Sequence, residues 1–307
     1  MADSTNLMHY ESNHQIIING MSDSIYYYFD YDERSEQVNM DFQHFHIFHE
    51  IHILLSPKAH HLIEGIPYSI ENGDVVLLRP SLLHKTVYPK GAPSKRLIIN
   101  FLYPQEYLDN HPGIKTLLES FSAPLPIYRF DERMQRILVQ PLNDILALSR
   151  HPISDELRQT MVHNRFLDFL YQLWTMRNYS NYVADDFDNE LSAKVYQISS
   201  YIHTHYSENL SLEEISKKFY ISPHYLSHQF SSITGYTLTH YIQMTRVRNA
   251  QYALLNSKEK ISDIAVSCGF SSFSQFNRVF QKFTGISPSA YRGGSPISAF
   301  RKSSSSE

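Results

Sequence analysis

The last third of the chain contains the same pattern twice. Segments 230–241 and 280–291 each begin with Phe, carry Thr-Gly at their fifth and sixth positions, and end in Tyr. A short amphipathic stretch precedes each segment, at 212–216 and at 261–265. Two copies are too few for a solenoid, which needs about three stacked repeats. A short helix, a turn and a second helix, formed twice, predict two helix-turn-helix units, the arrangement that presents two recognition helices to DNA.

Helix-start signals in the same region are typical of short, packed helices. Ser211 and Glu214 form a capping box, in which each side chain satisfies a free backbone N–H of the first turn. Ser222-Pro223 supplies an N-cap followed by a proline at the first helical position, and Gly235 supplies a left-handed helix end. The pattern predicts seven helices and no strand, with a long helix at about 238–255 between the two units.

Composition supports two domains with different partners. Residues 1–189 carry 15 Lys and Arg against 24 Asp and Glu, whereas residues 190–292 carry 10 against 6. A basic domain beside an acidic one favours nucleic-acid binding by the basic domain. The chain shows no secretion signal and no long apolar run, and its single Cys268 excludes an internal disulfide. We therefore expect a cytoplasmic protein with no membrane contact.

The sequence upstream of the repeat divides into a strand-rich and a helical part. Short β-rich runs broken by Pro and Gly predict a sandwich or small barrel, and helical periodicity follows it. The expected fold is multi-domain α+β. Its predicted segments are a sensor β domain at 1–111, a helical dimerisation or packing region at 112–178, a linker at 179–189, an all-α domain with two helix-turn-helix units at 190–292, and a flexible tail at 293–307.

The helical region carries an apolar stripe formed by Leu138, Leu142, Ile145 and Leu146. A helix that packs on a core shows such a stripe, and so does a helix that exposes a dimer contact. The stripe therefore predicts either packing against the β domain or dimerisation.

The repeat region resembles the DNA-binding domain of AraC/XylS-type transcription regulators over residues 191–291. The densest match runs from Ile261-Ser-Asp-Ile-Ala265 through Cys268-Gly-Phe270 to Gly285-x-Ser-Pro288-x-x-Tyr291, and Ser222-Pro223-x-Tyr225-Leu226 matches in the first unit. The resemblance implies recognition helices in two successive major grooves of promoter DNA, about 10 base pairs apart. It also implies a homodimeric regulator, expected to be an activator with RNA polymerase as a further partner.

Reading residues must lie on the solvent side of the two recognition helices. The guanidinium of Arg278 suits guanine, Gln275 and Asn277 suit adenine or phosphate, and lysines suit phosphates. The residues expected to contact bases or phosphates are His224, Ser227, His228, Ser274, Gln275, Asn277 and Arg278, with Lys217, Lys218 and Lys282 on phosphates.

The first unit differs from the second in its reading residues. It offers His224 and His228 and no Arg or Gln, so we expect weaker readout there, or readout that strengthens below the imidazole pKa of about 6.5. The aromatic side chains of Tyr225 and Phe273 are expected to be buried beside the reading positions. Arg246 is expected to contact a phosphate or form a salt bridge within the domain.

A second set of motifs lies in the N-terminal half. His44-x-His46-x-x-x-Glu50, then Gly73-Asp74, then Pro80 with His84, resemble the two motifs of a cupin barrel, which many AraC-type regulators carry as a sensor. In cupin enzymes the corresponding positions bind a metal, and imidazoles with a carboxylate have suitable chemistry. Leu82 stands where the second motif has glycine. We therefore expect an effector pocket or structural residues here, and no metal or other cofactor.

The expected effector is a small molecule, with carbohydrate as the preferred class. Aromatic faces suit sugar rings, and Tyr26-Tyr27-Tyr28 and Tyr31 precede the cupin-like motifs. Sheet packing is the other explanation for alternating tyrosines. The residues expected to bind the effector are Tyr28, His44, His46, Glu50 and His84.

Two other functions stay open at this point. One is a metal-dependent cupin enzyme with an accessory DNA-binding-like domain, and the other is a regulator controlled by a protein partner. The chain has no Ser/His/Asp order, Walker loop or Cys-x-x-Cys pair that supports another enzyme class. The leading expectation is a regulator and not an enzyme.

Overall fold

The computed structural model describes residues 14–22, 25–34, 44–46, 48–64, 66–80, 82–91, 94–184 and 190–293. Within these ranges the N-terminal part forms two antiparallel sheets, in the orders β1-β2-β8-β3-β6-β9 and β5-β4-β7. The strands are β1 (His14–Ser22), β2 (Ile25–Arg34), β3 (His49–Leu54), β4 (Lys58–Ile63), β5 (Ile66–Glu71), β6 (Val75–Leu78), β7 (His84–Val87), β8 (Ser94–Leu102) and β9 (Ile127–Tyr128).

Four helices accompany the sheets: α1 (Gln105–Asn110), α2 (Pro112–Leu117), α3 (Glu132–Leu148) and α4 (Asp155–Met176). The region predicted to be helical also contributes β9, which pairs with β6 at the edge of the larger sheet. A two-residue strand is too short to produce a periodic pattern, so hydrophobic periodicity could not predict it.

One face of the larger sheet packs against α3 and α4. Paired residues such as Phe29, Ile99 and Ile51, on β2, β8 and β3, are buried in one core with side chains of both helices. The stripe predicted on α3 lies in this core, where its members are at most 5% exposed: Leu138, Leu142, Ile145 and Leu146. The stripe therefore packs on the sheet, and its interpretation as an exposed dimer contact is wrong.

Part of the other face of the larger sheet is polar. Successive strand residues alternate between faces, so the row formed by Tyr28, Asn100 and Glu50 points away from the helices. The smaller sheet covers this side, where the Thr86 hydroxyl of β7 lies 3.3 Å from His52 Nε2 of β3. The space between the sheets therefore holds these hydrogen-bonding groups beside an apolar cluster, to which β3, β4, β5 and β6 all contribute side chains.

The first part of the predicted linker is anchored to the β domain. Asn181 N donates to Arg129 O at 2.8 Å, the Ser180 hydroxyl accepts from Arg129 N at 3.0 Å, and the Tyr182 hydroxyl donates to Ser69 O at 3.0 Å. Residues 180–182 are therefore not a free linker, because backbone partners on the β domain hold them. The aspartates that suggested a linker lie at 185–189, outside the described residues.

The C-terminal part consists of seven helices over the described residues 190–293, as the sequence predicts, and no strand occurs in this range. Ser211, Ser222 and Ser272 each accept the backbone N–H three residues on, so the predicted N-caps at Ser211 and Ser222 are confirmed. The helices are α5 (Glu190–His205), α6 (Leu212–Lys218), α7 (Pro223–Thr234), α8 (Leu238–Asn256), α9 (Ile261–Ser267), α10 (Phe273–Thr284) and α11 (Pro288–Gly293). The predicted tail beyond residue 293 lies outside the described residues.

The repeated pattern has a structural cause. In each unit the Thr hydroxyl donates to the carbonyl of the Phe four residues earlier, and the following Gly ends the helix with a positive φ. The Tyr that closes the pattern then stands edge-on against the same Phe, with ring centroids 5.1 Å apart for Phe230 and Tyr241 and 5.4 Å apart for Phe280 and Tyr291. The repeat therefore encodes two small cores, and α8 contributes side chains to both.

No helix in the described ranges combines the length and the apolar character that crossing a membrane requires.

Candidate nucleic-acid interface and ligand site

The second recognition helix, α10, presents a polar side to solvent. Phe276 and Phe280 are buried, whereas Ser274 and Arg278 are exposed and Asn277 is half-buried. The four predicted positions on α10 therefore lie away from the core, as the helical period requires.

Gln275 is the fourth of these positions, and it has a local role as well. Its Oε1 accepts from the backbone N of Ser271 at 3.1 Å and from the Ser271 hydroxyl at 2.8 Å. In this arrangement only the amide NH₂ of Gln275 is available to a ligand, and adenine would then be read through one hydrogen bond instead of two.

The first recognition helix, α7, exposes His224 and His228 and leaves Ser227 half-buried, while Leu226 points into the core. The expectation that Tyr225 and Phe273 are buried is wrong, because they are 43% and 49% exposed. Both lie within the first turn of their helices, on the side that the core does not reach.

Lys217 and Lys218 end α6, and Lys282 lies in the last turn of α10; all three are exposed. The Lys218 ammonium lies 4.6 Å above the ring of Tyr201, which holds the side chain on the surface of the first unit.

Arg246 forms hydrogen bonds within its own domain. Its Nε donates to Tyr206 O and its Nη2 to Glu208 O, both at 2.8 Å. It therefore ties α8 to the loop after α5. The expected phosphate contact or carboxylate salt bridge is replaced by these two carbonyl contacts.

Four of the residues predicted to bind the effector meet between the two sheets. His44, His46, Glu50 and His84 each offer a ligand atom, and these atoms all lie within 4.8 Å of one another. Glu50 and His84 are buried, and His44 and His46 are largely covered. Backbone hydrogen bonds of 2.9 Å in both directions hold His44 against His84.

The imidazoles of this cluster are oriented for a cation. His46 Nδ1 and His84 Nδ1 must donate to the carbonyls of Phe48 and Leu82, at 3.0 and 2.8 Å, because a carbonyl only accepts. Burial lowers the pKa of His46, against the raising effect of its hydrogen bond with Glu50. The Nε2 of His46 lies 2.8 Å from Glu50 Oε2, so a cation that displaced the proton between these two atoms would gain both as ligands.

The cluster therefore fits a divalent transition metal. Such ions take imidazole and carboxylate ligands, and the Nδ1–H groups bonded to carbonyls are the usual outer support of a metal-binding histidine. Zn²⁺, Fe²⁺, Mn²⁺ and Ni²⁺ all suit this donor set.

Tyr28 lies in the same row of the sheet as Glu50, with Asn100 between them. Tyr28 is half-buried, and its neighbours Tyr27 and Tyr31 are buried on the helix-facing side of β2. Packing against the helices therefore explains Tyr27 and Tyr31, whereas Tyr26 and Tyr28 lie on the opposite face of β2.

Sequence reasoning missed a second polar group between the sheets. The Thr86 hydroxyl lies 3.1 Å from His61 Nδ1 and 3.3 Å from His52 Nε2, and burial lowers the pKa of His52 to about 3. Asn100 Oδ1 is buried without a hydrogen-bond partner among the described residues. The signal for His52 was present, because it follows Glu50 at strand period.

Comparison with known proteins adds relatives to this geometry. The sequence model of a helix-turn-helix domain matches residues 215–294. The HTH-type transcriptional activator RhaS of Citrobacter koseri is 27% identical over 257 residues, which cover 82% of this chain and 87% of RhaS. An uncharacterized HTH-type transcriptional regulator of Staphylococcus aureus is 27% identical over 252 residues, which cover 80% of this chain and 31% of that protein.

Among solved structures, the C-terminal domain of AraT, a response regulator from Geobacillus stearothermophilus, is 31% identical, with 34% of this chain and 87% of that chain covered and a TM-score of 0.33. The matches to named regulators, together with the two helix-turn-helix units, decide the family. The chain belongs to the AraC/XylS family of transcription regulators.

As an AraC/XylS regulator, the chain is a DNA-binding protein and not an enzyme, which sets aside the metal-dependent enzyme. It spans less than a third of the Staphylococcus aureus relative and most of RhaS. The repeat offset of fifty residues that aligns His228 with Arg278 also aligns the exposed Tyr225 with Gln275, which makes Tyr225 a further candidate position that sequence reasoning missed.

Proposed function

We propose that this regulator binds promoter DNA through α7 and α10, which enter two successive major grooves, and that a ligand between the two sheets controls its output. The observation that carries the proposal is the matched exposure of reading positions on two helices joined by one long helix, α8. In the second unit Arg278 reads guanine, and Ser274, Asn277 and the Gln275 amide contact bases or phosphate.

In the first unit His224, Ser227, His228 and Tyr225 take the corresponding roles. Lys217, Lys218 and Lys282 neutralise phosphates and make the affinity salt-dependent. Because the first unit lacks an Arg at its reading positions, the second unit supplies most of the sequence discrimination.

The ligand site consists of His44, His46, Glu50 and His84, extended by Tyr28 along the sheet. A small polar molecule such as a carbohydrate is supported by the hydrogen-bonding groups of these side chains and by the unpartnered Asn100 Oδ1. The β domain serves as a cupin-like sensor in this account.

A divalent transition metal is the second candidate ligand, and the orientation of the imidazoles favours it. His44, His46, Glu50 and His84 would hold the ion, which would supply a fixed positive charge between the sheets and no chemistry of its own. Both candidates make the same four residues responsible for control.

Homodimerisation, activation and contact with RNA polymerase belong to the same proposal, as does a location in the cytoplasm, where bacterial promoter DNA lies. The buried stripe of α3 cannot form the dimer contact, so another surface must. Linking two DNA-binding domains in a dimer raises affinity by making the second binding event intramolecular.

The experiment is fluorescence anisotropy of the full chain on DNA from upstream of its own gene, with a panel of sugars and, separately, Zn²⁺ or Ni²⁺. A ligand that changes affinity in the wild type and not in Glu50→Gln supports the proposed control site. Specific binding that no ligand changes favours control by a protein partner, and absence of specific binding refutes the DNA-binding part.

A further inference from the structure

An ion pair joins the β domain to the DNA-binding domain. Arg248, near the middle of α8, is 5% exposed, and its Nη1 donates to Glu64 Oε1 at 2.8 Å. His203 Nδ1 on α5 lies 3.6 Å from the same oxygen, but burial lowers the pKa of His203 to about 3, so this ring is neutral at pH 7. Arg248 is therefore the charged partner of Glu64, and a buried guanidinium that lost it would be strongly unfavourable.

The backbone at Glu64 is unusual for its residue type. Ile63 pairs with Ile66, so β4 and β5 are joined by a two-residue loop, and Glu64 adopts a φ of 51°. Left-handed positions in such loops favour Asn, Asp and Gly, and a glutamate there is locally unfavourable. The contact with Arg248, 184 residues away, gives the glutamate a reason to be in this position.

The same loop is attached to the ligand site. Glu64 N donates to Leu83 O at 2.7 Å, and the adjacent His84 is paired with both Ile63 and His44. The side chains of Leu83 and Phe45, next to His84 and His44, pack in the opposite direction, into the core of the first helix-turn-helix unit. The two paired segments 44–45 and 83–84 therefore have the ligand cluster on one side and the DNA-binding domain on the other.

We propose that the Glu64–Arg248 pair couples the ligand cluster to α8, so that a change at His44 and His84 alters the placement of the helix that joins the two recognition units. A ligand acts through this contact because it binds one arrangement of the loop and strand better than another. The inference rests on the proposed function for the ligand site and for its DNA-binding readout.

The first test is a double-mutant cycle in the full chain, with DNA affinity as the readout. His84→Gln perturbs the ligand cluster, and Glu64→Gln removes the charge of the loop. The cycle needs no identified ligand. His84→Gln is expected to change DNA affinity by at least about fivefold in the wild type and by much less in the Glu64→Gln background. Additive effects would overturn the coupling, and His46→Gln repeats the cycle if His84→Gln does not fold.

The second test does not involve DNA, so it separates this inference from the proposed function. Hydrogen exchange is compared for the wild type, Glu64→Gln and the control Glu71→Gln, whose carboxylate lies 3.4 Å from Arg129 within the β domain. Glu64→Gln is expected to raise exchange in both the β4–β5 hairpin and α8, and Glu71→Gln is expected to leave α8 unchanged. Faster exchange confined to the hairpin would refute the proposal.

Discussion

Tyr225 and Gln275 occupy the same position in the two recognition helices, fifty residues apart. Tyr225 is 43% exposed, whereas Gln275 turns its carbonyl oxygen back to Ser271 at the start of its helix. The two units therefore share a backbone plan and present different chemistry, an aromatic face in one and a single amide donor in the other.

Replacing Tyr225 tests whether the first unit reads DNA through this face. An aromatic ring in the major groove suits the methyl group of thymine, so Tyr225→Ala should weaken specific binding by about 1 kcal/mol, and Tyr225→Phe should not. Affinities are measured on operators in which single thymines are replaced by uracil. Tyr171→Ala, at an exposed tyrosine of α4, is the control. Equal affinity of Tyr225→Ala and wild type would remove Tyr225 from the reading set.

Arg278 and Lys282 distinguish base reading from phosphate contact on one helix. Arg278→Ala should lose about 1–3 kcal/mol on the native operator and relax specificity at one base pair, with the fold intact. Lys282→Ala should weaken all sequences alike and lower the salt slope by about one. Titrations on specific and random DNA at several salt concentrations measure both effects. A uniform loss for Arg278→Ala would reassign this side chain to the backbone.

The ligand cluster is tested by direct metal binding. If the cluster is a metal site, the full chain should bind about one Zn²⁺ or Ni²⁺ per subunit, and His84→Gln should lower the affinity at least about tenfold, the size of loss typical even for the outer supports of metal ligands. Isothermal titration calorimetry measures both. The control is His60→Gln, an exposed histidine on β4. Equal metal affinity in the two variants would exclude the cluster as a metal site and leave the polar small molecule as its ligand.

Burial of His203 predicts a pH dependence of stability. The pKa of His203 in the folded protein is about 3. Burial lowers this pKa most, Arg248 and Arg79 lower it further, and Glu64 raises it. Between pH 3 and 6.5 the unfolded chain, whose imidazole pKa is near 6.5, binds more protons than the folded protein. The contribution of neutral His203 to stability is therefore complete above pH 6.5 and is lost as the pH falls towards 3.

Within this pH range His203 changes the free energy of unfolding by about 1.4 kcal/mol per pH unit. His203→Gln should therefore flatten the fall in the free energy of unfolding between pH 6 and 4 by about one proton. Urea denaturation at several pH values measures this slope, and Ser199→Ala, a buried and non-titrating position on the same helix, should leave it unchanged. Parallel slopes for wild type and His203→Gln would contradict the assignment.

The C-terminal helices could be predicted from the sequence because their signals are local. Serine caps, the glycine ends and the 3.6-residue period all act within a few residues, and the structure contains each predicted helix there. The meeting of His44, His46, Glu50 and His84 also followed from the motifs, although their imidazole orientation depends on the carbonyls of Phe48 and Leu82.

The features that escaped prediction are set by contacts between distant residues. Whether the α3 stripe faced a sheet or solvent depended on the placement of β3 and β8, and the exposure of Tyr225 depended on how deeply the core reaches under the first turn of α7. The Glu64–Arg248 contact bridges 184 residues and two domains, and no local pattern marks it. The polar partners His61 and Thr86 required the strand register of the smaller sheet.

Binding of two recognition helices to one face of promoter DNA can be observed by hydroxyl-radical footprinting. The experiment uses the full chain on DNA upstream of its own gene. We expect protection on one face over two adjacent major grooves about 10 base pairs apart, repeated at a second half-site if the chain is a dimer. We also expect Arg278→Ala to lose the protection nearest the second unit and to keep the other. Protection of a single groove, or no protection at any protein concentration, would contradict DNA binding by two recognition helices.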